Sequence, residues 1–510
     1  MHALSRLAFQ ELHCLTYFLK LKTVIIGGIC CIVFSGEILA ETSSRLSPEP
    51  LDNLGILKPN WNNQAHELNE QQKAILDAQT EKTKHANVEL SDEDLKKNPQ
   101  FAEIIIQTAI QRRDWTTVEQ VLAIYKQHPQ HDEMLVFYAQ GGLLRYQGHY
   151  QQAIAQYREM LERDASLDYV RFDLGVMFFE NKQYRDAERQ LQATRDNPQV
   201  SQEFRALSEQ FLKQVSQRER INSKVKFRLL HNDNVNQATD NVYLEIGNLI
   251  LKKDPRYMPK SSVGSNYALS LEQDYNIKTN HFISWSTSVD GLNYASAHDF
   301  DEHAINADLQ YKWQNAKSWF YIGPSFEWRW LDQTRYLDNY GIAASAGHWL
   351  SPRWQASLYT RWSDKSYKNS AYAAYNGNTL TISPTLVYLW SPKTAIFAGI
   401  IGQQENLKLD SESFKQYGVN FGLSKEWDNG INVLTQIQWA RRHYNKNNPV
   451  FQYKREDDRL NAVLSLGYKK FNFMGVEPKL SFQMDDVDSN IDALYSRVIK
   501  QWILSFEKKF

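Results

Sequence analysis

Cysteine is nearly missing from this chain, and the little there is lies at one end. Cys14, Cys30 and Cys31 all precede Ser35 in a sequence of 510 residues. Without that segment no thiol remains, which excludes disulfides, cysteine nucleophiles and cysteine-ligated metals together. It also suits an oxidising envelope compartment, where stray thiols mispair. Charge of one sign is missing too: the formal net charge is −1 and no block of like charges stands out, so nothing points to nucleic acid. After Ala40 no run approaches the roughly 18 consecutive apolar residues of a helical membrane span. Glycine-rich phosphate loops, paired-histidine metal motifs and nucleophile elbows are absent as well. The expectation is a protein with no cofactor, no metal and no enzymatic activity. His298 and His303 flank a connection, and Asp457-Asp458 and Asp485-Asp486 lie near strand rims. A hidden hydrolase or cation site would have to draw on such groups, but solvated loop acids are the plainer reading.

What the chain does have is aromatic side chains, 14 Trp and 27 Tyr among them, mostly in its second half. It also has a leader. Lys20 and Lys22 precede an apolar run over residues 23–34, followed by small and apolar residues to Ala40. This predicts a secretory signal peptide over residues 1–40, cleaved after Ala40. The long stretch before Lys20 leaves room for a later start. Gly-Gly-Ile before Cys30 is a poor lipoprotein signal, and an uncleaved anchor would be short for a span. Residues 41–100 read as a polar, partly helical extension, with a helical stretch over 62–84.

Residues 101–218 carry a repeat. Gly141 and Gly175, Tyr150 and Tyr184, Ala153 and Ala187, and Tyr157 and Leu191 are each 34 residues apart. Trp115, Val118 and Leu122 form a weaker copy upstream. A 34-residue helical hairpin with small residues where helices cross is the tetratricopeptide (TPR) pattern. Residues 201–218 would be the capping helix. Such arrays grip protein segments and hold no chemistry of their own.

From Arg220 onward the period changes to two. In residues 460–469 the even positions (Leu460, Ala462, Leu464, Leu466, Tyr468) are oily, and the odd ones are Asn461, Val463, Ser465, Gly467 and Lys469. Alternation of this kind puts successive side chains on opposite faces of a strand. About fourteen such segments follow one another, joined alternately by tight and longer connections. The expected tight ones are 276–280, 314–317, 351–353, 391–393, 428–430 and 472–475. The longer ones are 294–300, 332–336, 368–378, 406–413, 445–457 and 488–494. Aromatics flank the tight turns, among them Trp313, Trp349, Trp390 and Trp427, as a membrane interface selects. The reading for residues 221–510 is a transmembrane antiparallel β-barrel of about fourteen strands in outer-membrane lipid. The fold class is therefore α + β multidomain, with a periplasmic α-helical array before the barrel. The first strand is expected at 225–230, with an insertion to residue 260 as a candidate plug, lid or plain surface loop.

The last strand places Trp502, Leu504, Phe506 and Phe510 on one face. This ending resembles the C-terminal signal read by the barrel assembly machinery, with Lys508 a departure. An even strand count puts both ends of the barrel on the periplasmic side, where the array must be.

Three segments resemble the surface lipoprotein assembly modulator (Slam) family. Residues 231–238, His-Asn-Asp-Asn-Val-Asn-Gln-Ala, resemble its D-D-N-[IV]-N motif through Asn232, Asp233, Asn234 and Asn236, with Asn232 replacing the first acid. Residues 374–380 and the ending from Ser489 to Phe510 are similar to further segments of that family. The resemblance implies a Gram-negative outer-membrane translocator. Its cargo would be a surface lipoprotein or a soluble hemophilin-like secreted protein, met in the periplasm with its chaperones. The same architecture also suits an export porin for an exopolysaccharide, which a lumen charged with one sign would favour.

Overall fold

The computed structural model describes residues 92–510 apart from Gly247, so the signal peptide and most of the polar extension lie outside the described residues. The chain first forms a short helix, α1 (Asp92–Lys97). Three helical hairpins follow: α2 (Pro99–Gln111) with α3 (Trp115–Tyr125), α4 (Glu133–Tyr146) with α5 (Tyr150–Arg163), and α6 (Asp168–Glu180) with α7 (Tyr184–Asp196). The longer α8 (Gln202–Arg218) closes the stack.

Local chemistry sets where these helices begin. Pro99 opens α2, where its missing N–H costs nothing. Asp114 accepts the Thr117 N–H and hydroxyl ahead of α3, and these bonds hold its carboxyl below the usual range. Asp132 and Ser201 do the same work for α4 and α8. None of the described helices is long and apolar enough to cross a membrane.

The barrel strands are β1 (Asn222–Asn232), β4 (Ser262–Lys278), β5 (His281–Tyr294), β6 (Glu302–Gln314), β7 (Ser318–Leu331), β8 (Thr334–Trp349), β9 (Trp354–Tyr367) and β10 (Gly377–Ser391). They continue as β11 (Thr394–Leu407), β12 (Phe414–Glu426), β13 (Ile431–Asn447), β14 (Lys454–Tyr468), β15 (Glu477–Ser489) and β16 (Arg497–Lys509). Each pairs antiparallel with its neighbours, and β1 pairs with both β4 and β16. The sheet is closed, with 14 strands and no free edge. β2 (Tyr243–Ile246) and β3 (Leu249–Lys252) form a separate hairpin in the first outer connection.

The faces of this sheet are inverted relative to a water-soluble protein. Val225, Phe227 and Leu229 on β1, Ile437 and Trp439 on β13, and Leu464 and Leu466 on β14 all point outward and are exposed. Their neighbours Lys226, Arg228 and Gln436 point inward and are buried. At about 25 cal/mol per Å², water could not hold so much apolar surface, whereas hydrocarbon holds it without cost. Trp354, Trp390, Trp427, Phe471 and Phe473 are exposed at the end where the helices sit, and Trp354 packs on Tyr388 with ring centroids 4.6 Å apart.

Several expected boundaries move. The first strand is longer than 225–230 at both ends. The connection expected at 332–336 is a tight turn through Asp332 and Gln333, both in the left-handed region with φ of 43° and 62°. The turn expected at 472–475 is instead a longer periplasmic connection, with a helical turn at Lys469–Phe471 and a bridge from Phe473 to Val476. Lys469 thus leaves the strand and meets Glu426 at 2.7 Å. At the first strand and at 332–336 hydrogen-bonded ladders run on past the lipid, so polar residues that read as loop are strand ends, whereas after Tyr468 the ladder stops early. The one-sided contrast in loop length is weaker than expected, and the first outer connection carries most of it.

Candidate functional site

The helical array is built on close approaches. Gly141 lies beneath Tyr157, where an added Cβ would come within 2.3 Å of the ring, and Gly175 beneath Leu191, at 2.9 Å. Ala153 and Ala187 are wholly buried at the equivalent next contact. Trp115 reaches forward from α3, packs on Gly142 and stacks on Tyr146 at 5.9 Å. Val118 and Leu122 are buried in the first hairpin's core.

The first helices of successive hairpins are tied side by side by polar groups one repeat apart. The Tyr138 hydroxyl donates to Asp173 at 2.9 Å, and Arg145 grips Glu180 through two bonds of 2.8 and 2.6 Å. Burial raises the Asp173 carboxyl, against Arg145 and Tyr138, which pull it down. Tyr150 lies beside Glu180, and burial lifts its phenol. Phe101, Ile104, Tyr146 and Tyr169 remain exposed. The polar pairs escaped the sequence reading, although the members of each are 35 residues apart, about one repeat.

The array is seated on the barrel's inner turns. Gln183 donates to Asn280 at 2.8 Å, and the Arg185 N–H to Asn276 at 3.0 Å. The Arg185 guanidinium pairs with Glu219 at 2.9 Å and lies over Tyr275. Tyr184 meets the edge of Phe282, a β5 side chain that belongs to the helical core. Burial pushes the Tyr184 phenol up to about 12. Lys317, in the β6–β7 turn, reaches the Gln147 carbonyl at 3.2 Å. One repeat residue therefore doubles as the docking contact.

Inside the barrel, charges of both signs pair near the outer mouth. Arg329 bridges Glu302 at 3.0 Å and Glu327 at 2.6 Å, and the Tyr336 hydroxyl donates to Glu302 at 2.7 Å. Across the ring Arg455 pairs with Asp457 at 2.7 Å and stacks on Tyr495 at 3.6 Å. Lys365 bonds to Glu405. The acid pairs singled out in the sequence are split by the wall: Asp457 turns in, while Asp458 turns out to Arg441. Asp485 faces Arg459 from within, at 3.8 Å. His298 bonds to Asp301, and His303 to Tyr267. Among the described residues no group of three His, Cys, Asp or Glu is placed to hold a metal ion.

The remaining sequence candidates fall on the seam where the ring closes. Trp502, Leu504 and Phe506 oppose His231, Leu229 and Phe227 of β1 on the lipid side. The Phe510 N–H bonds to the Ser223 carbonyl at 2.9 Å, and Lys508 folds its ammonium over the Phe510 ring. Asn232, Asn234 and Asn236 are buried at the top of β1.

These features define a class: an outer-membrane β-barrel whose periplasmic mouth carries a TPR array. The comparisons with known proteins go further. The family described as surface lipoprotein assembly modifier matches residues 222–510, and its N-terminal TPR repeats match 88–191; the chain belongs to this family. It is 24% identical to the surface lipoprotein assembly modifier of Pasteurella multocida, over 81% of this chain and 84% of that one. With surface lipoprotein assembly modifier 1 of Neisseria meningitidis it shares 26%, over 79% and 82% of the two chains. With the hemophilin secretion modulator of Acinetobacter baumannii it shares 22%, over 79% and 84%. The Acinetobacter baumannii channel OccAB4 covers 58% of this chain and 99% of its own at 9% identity and a TM-score of 0.31, a likeness too loose to build on.

Proposed function

We propose that this protein moves specific cargo proteins from the periplasm to the cell surface or the medium. The single observation that carries this is the seating of a protein-binding array on the periplasmic mouth of a closed barrel, through Gln183, Arg185 and Asn280. A bare barrel needs no such array; an exporter needs a place to hold its substrate at the entrance. The relatives are named for surface lipoproteins and for a hemophilin, so the cargo is a surface lipoprotein or a soluble hemophilin-like secreted protein. The exposed Phe101, Ile104, Tyr146 and Tyr169 would take the cargo or a periplasmic chaperone carrying it. The aromatic ending through Phe510 would address the chain to the barrel assembly machinery. The lumen favours polypeptide over exopolysaccharide, since its charges are of both signs and paired.

Nucleotide is not available in the periplasm, so the driving force comes from folding or binding of cargo outside. The test is deletion of the gene, followed by protease shaving of intact cells and assay of the medium for each candidate cargo encoded nearby. Loss of surface or secreted cargo, restored by the intact gene and not by a Tyr146→Ala/Tyr169→Ala form, is the expected result. Unchanged exposure and secretion of every candidate would rule the reading out.

A further inference from the structure

The lipid-facing rows of the barrel differ in height. On β10 Leu380, Ile382, Pro384, Leu386, Tyr388 and Trp390 face outward with no polar break, and β7 carries an equal row from Phe320 to Trp330. Ten residues of strand at about 3.4 Å each, tilted by about 40°, rise about 26 Å, the height of an outer-membrane apolar band. β10 stands opposite β1, seven strands round the closed ring in either direction.

On the β1 side the row shrinks on three adjacent strands. β1 offers Val225, Phe227 and Leu229, between Ser223 and His231. β16 offers Trp502, Leu504 and Phe506, between Lys500 and Lys508. β4 offers Tyr267, Leu269 and Leu271, between Ser265 and Gln273. The short rows lie side by side, since Phe227 is opposite Phe506 on one flank and Tyr267 on the other. Four residues of tilted strand rise only about 10 Å.

Polar contacts tie both limits of this sector to the layers beyond the membrane. On the outer side the Lys500 N–H donates to Asp233 of the first outer connection at 2.7 Å, and His231 meets the Ser261 hydroxyl at 3.4 Å. On the inner side Gln273 donates to the Glu219 carbonyl at 2.7 Å and accepts the Trp285 N–H at 3.0 Å. Lys500 and Lys508 can stretch their ammonium groups toward water, but Ser223, His231, Ser265 and Gln273 are too short to do so. The band stays narrow between them.

We propose that the outer membrane is thinned beside the β16–β1–β4 sector, which thereby becomes a low path for acyl chains between the two leaflets. A bilayer shortens to meet a short apolar band rather than bury the polar residues that edge it. For a lipidated cargo, whose acyl chains must change leaflet, this is where the crossing is shortest. That use rests on the export reading; the thinning does not.

Purified full-length protein in vesicles of dioleoylphosphatidylcholine, with a trace of fluorescent phospholipid, tests this. Albumin, too large for the lumen, extracts label as it reaches the outer leaflet. Wild-type vesicles should move label between leaflets several-fold faster than protein-free ones. His231→Leu/Lys500→Leu, which deepens the band by about 5 Å, should slow the protein-dependent rate about tenfold. Thr360→Leu, facing lipid on β9, should leave it unchanged. Heat-modifiable migration on gels checks folding. A wild type no faster than bare vesicles, a folded widened variant equal to wild type, or equal slowing by both variants overturns the proposal. Dimers of Lys500→Cys that the parent chain does not form would put a second copy in place of lipid and overturn it too. Should the widened variant fail to fold, the wild type decides alone: its rate relative to bare vesicles should be greater in thick dierucoyl than in thin dimyristoleoyl phosphatidylcholine, and an equal ratio overturns the thinning. No cargo is present, so a failure here is separate from a failure of export in cells.

Discussion

Gln183, in the turn before α7, donates its side-chain amide to Oδ1 of Asn280 in the β4–β5 turn at 2.8 Å, and both residues are buried. Asn280 in turn donates to the carbonyls of Asn181 and Gln314. Helical array and barrel therefore share one set of buried polar groups, and the array is docked rather than tethered. Asn280→Ala leaves these partners without replacement, at about 1–3 kcal/mol for a stranded buried group. Trypsin should release the array from the variant at a lower temperature, while the barrel keeps its heat-modifiable transition. A double substitution with Gln183→Ala should cost less than the sum of the two singles.

The glycines of the array make a sharper contrast. Gly141→Ala drives a methyl to 2.3 Å from the Tyr157 ring, and overpacking of that kind costs about 1–3 kcal/mol. Gly402→Ala in the barrel meets only the Ile382 carbonyl, at 3.9 Å, and should stay within about 0.5 kcal/mol of the wild type. Urea titrations read by proteolysis of the array and by gel migration of the barrel compare the two.

The glycines of the array also show what could be read from the sequence. Gly141 and Gly175 announce the hairpins because a close helix crossing tolerates no side chain, and that need repeats with the fold. The strands announce themselves because lipid outside and polar lumen inside impose a period of two. Asn276 and Asn280 gave no such signal. Asparagine is common in any tight turn, and their partners Arg185 and Gln183 are 91 and 97 residues away. Tyr138 with Asp173 and Arg145 with Glu180 were legible in principle, at one repeat apart, but a pair of polar residues is not distinctive until the helices are placed.

Lys182, in the α6–α7 turn, gives a pH dependence. Burial, helped by Arg218 and Lys312 and opposed by Glu180, lowers its ammonium to about 8. Between that value and the unfolded 10.5, the unfolded chain binds the extra proton, so stability of the array rises with pH. Tyr138 and Tyr157, which burial holds above 10, work in the opposite direction only beyond that point. The array's unfolding midpoint should therefore rise from about pH 8 to about pH 9.5, and Lys182→Met should flatten the rise.

In the barrel wall, Arg329→Ala leaves Glu302 and Glu327 facing each other with no cation between them. Breaking a buried pair from one side costs about 3–5 kcal/mol. The variant should lose its heat-resistant gel form at lower urea. Adding Glu302→Gln and Glu327→Gln should recover most of the loss, because no charge is then stranded.

The chain's last residue supplies a test of assembly. Deleting Phe510 removes the N–H bond to Ser223 and the ring beneath Lys508. The assembled, heat-modifiable fraction in cells should fall several-fold at equal total synthesis, whereas protein refolded into detergent should reach the wild-type fraction. Equal assembly in cells would show that the terminal aromatic is not read.

The bonds that seat the array come from the α4–α5 turn, the α6–α7 turn, Arg185 at the start of α7, and Glu219, and none of those described above comes from α2 or α3. The bearing of the array on the ring is thus set by its C-terminal hairpins, next to β1 and the strands that follow it. The N-terminal hairpin is an arm held by its neighbour, packed on Leu135 and Ala139 of α4. Repeats gained, lost or recast at that arm would change what is gripped and how far the reach extends, while the compass direction of delivery stays fixed.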